Sequence, residues 1–199
     1  MDVEKLREDV VFEAELRGHP LTLRSTWGLF SPREVDEGSK LLLRHVRVEA
    51  DDDCLDLGCG YGAIGLALAR SAPRGRTWLV DKDFVAVEYA RRNARENGVK
   101  NAVVKLSNGF SAVEDLRLDL VAANLPAKTG KELLYLLLHD AHAHLSPGGA
   151  LWVVTISGLR RFIARGMEEV FGNYEKVKQG RTHTVACAVR SPDSPGAAG

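Results

Sequence analysis

The stretch that decides the fold is Asp56-Leu57-Gly58-Cys59-Gly60-Tyr61-Gly62, and Gly65 follows it closely. Three glycines at alternate positions behind an acidic residue let a backbone turn sharply from a strand into a helix with no side chain in the way. The helix that we expect to begin near Ala63 presents unpaired N–H groups at this turn, which suit a carboxylate or a phosphate. The stretch therefore predicts a binding loop for a polar ligand.

Two kinds of cofactor fit this loop. The G-x-G-x-x-G pattern of dinucleotide-binding folds is matched by Gly60, Gly62 and Gly65. Asp81 follows about 20 residues later, at the end of a predicted strand, so a nicotinamide cofactor is one candidate. Asp56 and Gly58 extend the pattern to D-x-G-x-G-x-G, which resembles motif I of the S-adenosylmethionine (SAM) methyltransferases. That resemblance implies SAM as the cofactor, with these two residues, Gly60 and Gly62 at its site.

Strands and helices alternate from Cys54 onward. We predict strands at 53–57, 76–81, 101–106, 118–123 and 149–155, helices at 62–71, 83–97, 130–144 and 159–171, and a closing antiparallel pair at 173–179 and 182–190. Such alternation builds a mostly parallel α/β sheet whose ligands lie at the carboxyl ends of the strands. Together with motif I, it implies the Rossmann-like class I methyltransferase fold, with seven strands and an antiparallel C-terminal pair.

The N-terminal part predicts a β-hairpin and a lid helix. Residues 10–17 and 21–27 alternate in polarity on either side of Gly18-His19-Pro20. Ser31 and Pro32 are typical of a helix start, and the helix should run to about Val46 over the mouth of the domain. We therefore divide the chain into this N-terminal part at 1–48, a methyltransferase domain at 49–190 and a disordered tail at 191–199.

Composition restricts the function further. Lys plus Arg equal Asp plus Glu at 27 each, which gives no global attraction to nucleic acid. No apolar run is long enough to span a membrane, and the N-terminus lacks the order of a secretion signal. The three cysteines lack zinc-type spacing, so no metal site is predicted. We expect a cytoplasmic monomer or weak dimer without a membrane partner.

Polar residues follow two further predicted strands. Asp81 can accept two hydroxyl hydrogens of a ribose, with Lys82 beside it, whereas the next acid, Asp83, is more typical of a helix cap. Asn108 ends the following strand, where methyltransferases commonly hold the adenine, and its amide can both accept from and donate to that ring. Gly109 and Phe110 complete this predicted adenine contact. A simple Asn-Gly turn is the alternative.

Asn124-Leu125-Pro126-Ala127 follows the buried strand 118–123. The stretch resembles the N-P-P-[FYW] motif IV of methyltransferases that act on exocyclic base amines. Such an amine is positioned when the Asn124 side-chain oxygen and the Leu125 carbonyl accept its two N–H groups, and Pro126 restricts Leu125 to an extended conformation. Leu125 replaces a family proline and Ala127 replaces the stacking aromatic ring. Trp27, Phe30 or Phe110 supplies a ring instead, or the substrate is not a flipped base.

These motifs together resemble the catalytic domain of the small-subunit ribosomal-RNA guanine-N2 methyltransferase family over residues 10–190. The resemblance implies guanine N2 as the acceptor and ribosomal RNA or the ribosomal subunit as the partner. It also places Phe30, Asp36 and Gly38 in the cofactor pocket, with helix capping and packing as the alternative. Well-known bacterial members carry a second, degenerate half that helps to present the RNA.

Other functions remain open at this point. The substrate is a small molecule or a protein in one alternative, and the chain is a non-catalytic SAM- or RNA-binding module in another. A dehydrogenase is a more distant alternative. Arg160, Arg161 and Arg165, with Lys176, Lys178 and Arg181, predict either a basic rim that contacts phosphates or a solvated surface.

Overall fold

The computed structural model describes residues 2–126 and 128–192, so Ala127 and the predicted tail from residue 193 lie outside the described part. The strands are β1 (Val10–Leu16), β2 (His19–Ser25), β3 (Cys54–Leu57), β4 (Thr77–Asp81), β5 (Ala102–Leu106), β6 (Leu118–Asn124), β7 (Leu145–Ile156), β8 (Glu175–Gln179) and β9 (His183–Val189). The helices are α1 (Val3–Arg7), α2 (Glu37–His45), α3 (Ala63–Ser71), α4 (Phe84–Glu96), α5 (Lys131–His144) and α6 (Arg160–Phe171).

Seven strands form one sheet in the order β5-β4-β3-β6-β7-β9-β8, and β1 and β2 form a separate hairpin. Strands β3 to β7 run parallel, whereas β9 pairs antiparallel with both β7 and β8. The predicted fold class is therefore confirmed. From β3 the chain moves outward through β4 to β5 and then crosses back to β6, so a switch point for ligand binding lies at the carboxyl end of β3.

Both faces of the sheet are covered by apolar helices. On one face, side chains of α2, α3, α4 and the hairpin form a single buried cluster. On the other face, α5 and α6 pack on alternate residues of the same strands. The contact between α3 and β4 is especially close, because a Cβ at Gly65 would overlap the side chain of Leu79. This glycine brings the helix that follows the glycine loop down onto the sheet.

Two asparagines attach the hairpin to α4. Asn93 is fully buried; its Oδ1 accepts from Arg24 N, and its Nδ2 donates to Arg24 O, all at 2.9 Å. One turn later, Asn97 makes the same pair of bonds to Thr22, at 2.9 and 2.8 Å. Four helical residues rise about 6 Å and two strand residues about 6.6 Å, so the two spacings match. The helix thus presents amides to β2 as a neighbouring strand would.

Three predicted boundaries were wrong. Strand β2 begins at His19, inside the predicted break, because His19 already pairs with Leu16. Helix α2 begins at Glu37 with Asp36 as its cap, rather than at Ser31. Ser31 has a left-handed φ of 49°, and its Oγ donates to Glu34 O at 2.7 Å, so it closes a turn before the helix. Strand β7 begins at Leu145, four residues before the predicted position, because its register shift against β6 accommodates Gly148-Gly149 within the strand. Helix α1 was not predicted.

Candidate active site

A cavity of about 790 Å³ opens at the carboxyl edge of the sheet, next to the ends of β3, β4 and β6. The predicted residues that line it are Phe30, Asp36, Gly58, Gly60, Asp81, Lys82, Asn108, Gly109, Asn124, Leu125 and Pro126. Four others, Gly38, Asp56, Gly62 and Phe110, lie behind this lining. The fold thus brings most of the predicted site together from segments far apart in sequence.

The glycine loop needs glycine for its backbone. Gly58, Gly60 and Gly62 have φ values of 76°, 54° and 95°, in the left-handed region. A Cβ at Gly58 or Gly60 would point into open space, so the strain there would come from the backbone alone. At Gly62 a Cβ would lie 3.1 Å from Leu79 Cδ2. The loop consequently presents bare main chain to the cavity.

Asp56 anchors this loop from behind. Its side chain is buried, and Oδ2 accepts from Gly65 N at 2.7 Å. Burial raises the pKa of this carboxyl to about 7, and the nearby Asp81 adds to the rise, whereas the bond from Gly65 opposes it. Oδ1 has no hydrogen-bond partner among the described residues. The wall behind the loop therefore holds a buried acceptor without a donor.

Asp81 bridges the glycine loop and α4. Its Oδ2 accepts from Gly60 N at 2.9 Å, and its Oδ1 accepts from Asp83 N at 3.0 Å. Each carboxylate oxygen keeps a lone pair for a further donor in the cavity. Asp83 caps α4, accepting from Val85 N at 2.8 Å and Ala86 N at 3.4 Å. The ribose position predicted for Asp81 is thus geometrically open, and the capping alternative belongs to Asp83.

The turn after β5 is held by Ser107, whose Oγ donates to Gly109 O at 2.8 Å and accepts from Ala112 N at 3.0 Å. This turn leaves Asn108 exposed at the cavity. Phe110 instead turns into the core, where it is 3% exposed and stacks on His144 with ring centroids 4.6 Å apart. It therefore cannot form the cavity wall that was predicted for it.

The apolar wall near Asn108 comes from Leu133 and Leu137 of α5. These leucines were not predicted as site residues. Their helix follows the next strand in the chain, and only the packing of α5 on the sheet brings them to the cavity.

The amide of Asn124 is oriented by its partners. Its Nδ2 donates to Asp36 Oδ1 and to Ser39 Oγ, both at 3.0 Å. A carboxylate only accepts hydrogen bonds, so the nitrogen must face Asp36 and the oxygen must face the other way. Asp36 Oδ1 also accepts from Ser39 N at 3.0 Å, which caps α2. The capping residue of the lid helix thus determines which atom of Asn124 is free to accept.

The residues after Asn124 are also held. Leu125 N donates to Val154 O at 2.9 Å, which continues the pairing of β6 with β7 by one residue. Pro126 O accepts from Thr129 N at 3.2 Å. With its nitrogen bonded and Pro126 after it, Leu125 has little freedom to rotate its carbonyl.

Two further residues shape the site and were missed. The buried Tyr61 hydroxyl lies 3.3 Å from Ser31 O and 3.1 Å from Glu34 O, so the glycine loop holds the segment ahead of α2. His183 lines the cavity from the start of β9, and a Cβ at Gly38 would lie 3.1 Å from its Cδ2. Gly38 therefore makes room for the imidazole. His183 could have been predicted as a site residue only if the register of β9 had been known.

The described part of the chain contains neither an activated thiol nor a group of side chains that could bind a metal ion. Burial raises the pKa of the Cys54 and Cys187 thiols to about 12 and that of Cys59 well above its ordinary value. No group of three or more His, Cys, Asp or Glu side chains there could hold a metal ion. None of the helices in the same ranges is long and apolar enough to cross a membrane.

Comparisons with known proteins agree with this geometry. Residues 20–186 match the family model of the methyltransferase small domain. The chain is 36% identical over 141 residues to the uncharacterized protein YbxB of Bacillus subtilis, covering 70% of each chain. It is 34% identical over 184 residues to ribosomal RNA small subunit methyltransferase C of Citrobacter koseri, covering 88% of this chain and 53% of the relative.

Among solved structures, the T. thermophilus 16S rRNA N2 G1207 methyltransferase, in complex with AdoMet and guanosine, matches with a TM-score of 0.82 at 29% identity. That match covers 90% of this chain and 50% of the other. The chain thus spans about half the length of the ribosomal-RNA methyltransferases that it matches.

Proposed function

The chain belongs to the methyltransferase small domain family, and we propose that it is a SAM-dependent methyltransferase acting on an exocyclic base amine, guanine N2 of ribosomal RNA. The observation that carries the proposal is the orientation of Asn124. Two bonds from its nitrogen turn its oxygen away from Asp36, and no residue within 2–126 and 128–192 donates a hydrogen bond to that oxygen. The similar T. thermophilus enzyme, by its name, methylates N2 of a guanine in 16S rRNA, and its structure contains AdoMet and guanosine.

The residues at the cavity fit SAM. Exposed main chain at Gly58 and Gly60, the carboxylate of Asp81 and the amide of Asn108 offer contacts for a ribose and an adenine, as in the resemblance. Asp36 and Asp81 line the cavity, an acidic environment that suits a cation. SAM would supply an electrophilic methyl group on a sulfonium.

The chain's own residues would act mainly by positioning. Asn124 Oδ1 and the Leu125 carbonyl accept the two N–H groups of the base amine and so direct the nitrogen lone pair along one line. Holding reacting groups in an attack geometry removes several kcal/mol of the barrier, about 7 to 11 kcal/mol at best. Asp36 and Ser39 are positioning residues, since they act through Asn124.

The test is transfer of a tritiated methyl group from SAM to deproteinised small-subunit rRNA. We expect Asn124→Ala to lose about 100-fold or more in kcat, because even a misplacement of about 1 Å has that effect. Binding of S-adenosylhomocysteine, measured by calorimetry, should be retained. Full activity of the variant would refute the role of Asn124. Methylation of small metabolites by a wild-type chain that ignores RNA would refute RNA as the acceptor.

A further inference from the structure

A positively charged surface flanks the cavity on the side of Asn124. We call it the basic track; it consists of Lys128, Lys131, Arg160, Arg161, Lys178 and Arg181. Residues 124–192 carry nine Lys and Arg against five Asp and Glu, although the whole chain is neutral. The zero net charge therefore conceals a local excess of positive charge in the C-terminal part.

The strand topology places these cations at the edge where the cavity opens. Lys128 itself lines the cavity, as do Ile156 and His183, which pair with each other. Ile156 ends β7 shortly before Arg160, and His183 begins β9 shortly after Arg181. The loop from β7 to α6 and the turn from β8 to β9 consequently lie at the same edge of the sheet as Asn124.

Contacts between the segments make the track continuous. Arg160 Nη1 donates to Gln179 Oε1 at 2.9 Å, which joins the start of α6 to the end of β8. Lys131 Nζ lies 5.9 Å from the ring centroid of Phe162, which joins the start of α5 to α6. The track therefore runs from the cavity across α5 and α6 to the β8–β9 turn, rather than forming separate clusters.

Within the described part of the chain, the track cations are not paired with acids. None of the ion pairs within residues 2–126 and 128–192 includes a member of the track. On the opposite side of the cavity, Arg24 and Arg92 are both paired with Asp9 and Glu96. The track thus has positive charge available for an external anion, whereas acids neutralise Arg24 and Arg92.

The first turn of α6 carries cations where the helix dipole favours acids. Arg160 and Arg161 begin α6, whose first turn has no acid, whereas Lys131 begins α5 beside the acid Glu132; neither helix has a side-chain cap. Helices α2 and α4, by contrast, are capped by Asp36 and Asp83. Bound phosphates would turn this unfavourable arrangement into a favourable one.

We propose that the basic track binds the phosphate backbone of the RNA next to the nucleotide presented to Asn124. The inference rests on the proposed function, and it names the surface that receives the rest of the strand. Lys178 pairs with Val185, Val185 with Val154, and Val154 with Asn124. Three strand spacings of about 4.8 Å thus separate Lys178 from Asn124 by about 14 Å. Over this distance, an RNA strand that leaves the cavity passes the ends of β7, β9 and β8 at this edge of the sheet.

The experiment measures binding of a fluorescein-labelled oligouridylate of about 20 nucleotides by anisotropy over a salt series, because phosphate contacts do not depend on sequence. The test variant is Arg161→Gln/Lys178→Gln/Arg181→Gln. Its matched control is Arg95→Gln/Lys100→Gln/Arg117→Gln. These three exposed cations precede β5 and β6 at the opposite edge of the sheet, and none of them belongs to an ion pair within the described residues.

Each lost phosphate contact removes about 0.7 from the slope of log K against log salt for a single strand. We expect the track variant to lose about 2 from this slope and to bind about 100-fold more weakly at 0.1 M salt. The control should follow the wild type. Both variants should bind S-adenosylhomocysteine normally, since none of the six residues lines the cavity.

The outcomes separate the track from the proposed function. If the wild type methylates rRNA and the track variant keeps the wild-type slope, the track is refuted and the function stands. If the track variant loses slope while the wild type methylates no RNA, the track is supported and the proposed acceptor fails. A wild type that binds no oligouridylate at 0.05 M salt refutes the track outright, whatever the methylation assay shows.

Discussion

The buried Asp56 should make the stability of the protein depend on pH in a direction opposite to that of most acids. An Asp in an unfolded chain titrates near its ordinary pKa of 3.8, whereas burial raises the pKa of Asp56 in the folded chain to about 7. Between these values the folded chain holds a proton that the unfolded chain has released. The free energy of unfolding therefore falls as the pH rises, until the folded carboxyl also ionises near pH 7.

The size of the effect follows from the pKa difference. One unit corresponds to about 1.4 kcal/mol, and about two units lie between pH 5 and the folded pKa, so the unfolding free energy should fall by about 3 kcal/mol between pH 5 and pH 8. Asp56→Asn removes the titration and keeps an oxygen for Gly65 N. The difference in unfolding free energy between wild type and variant isolates Asp56 from all other titrating groups.

Urea unfolding followed by circular dichroism at pH 5, 6, 7 and 8 measures this difference. Asp115→Asn, at an exposed turn residue, is the control and should follow the wild type at every pH. Wild-type and Asp56→Asn curves that stay parallel from pH 5 to pH 8 would show that Asp56 is already ionised at pH 5. A raised pKa of Asp56 in the folded chain would then be excluded.

Three other substitutions probe the hairpin, the helix contact and the cavity mouth. Asn93→Ala should lower the unfolding free energy by about 3 kcal/mol or more in urea, because it leaves the part-buried main-chain groups of Arg24 and the buried Tyr61 O unpaired; a loss below 1 kcal/mol would contradict this. Gly65→Ala should cost about 1 to 3 kcal/mol in the same assay through overlap with Leu79. Phe30 lines the cavity and is 73% exposed. Phe30→Ala should leave the melting temperature unchanged but reduce kcat/KM on RNA about 5- to 150-fold through lost base stacking of about 1 to 3 kcal/mol; unchanged kcat/KM would exclude Phe30 as the stacking ring.

The central α/β part was predictable because β3, β4 and β6 are short, mostly buried runs and its helices have clear ends. The helix predicted at 83–97, for example, spans Phe84–Glu96 in the structure. Its cap, Asp83, stands directly after a strand and can be identified from local chemistry alone. The glycine loop was predictable for a similar reason. A left-handed backbone conformation at three alternate positions favours glycine whatever surrounds the loop.

What could not be predicted depends on contacts between distant segments. Ser31-Pro32 and Asp36 are both typical of a helix start, and the sequence alone does not distinguish between them. The choice is made by Tyr61, whose hydroxyl holds the carbonyls of Ser31 and Glu34 and leaves Asp36 to cap the helix. His183 likewise reaches the cavity only because β9 pairs with β7 in one register.

The departure at Leu125 from the family motif also has a structural explanation. A proline at this position would fix φ through its ring but has no N–H. Leu125 has one, and it donates to Val154 O at 2.9 Å. The leucine side chain is buried as well, in the cluster beneath α5. A proline ring would restrain the main chain at this position covalently. In this chain, the hydrogen bond to β7 and the packed leucine side chain restrain it instead. The Leu125 carbonyl keeps a defined direction, which is the property that a motif for holding an amine requires.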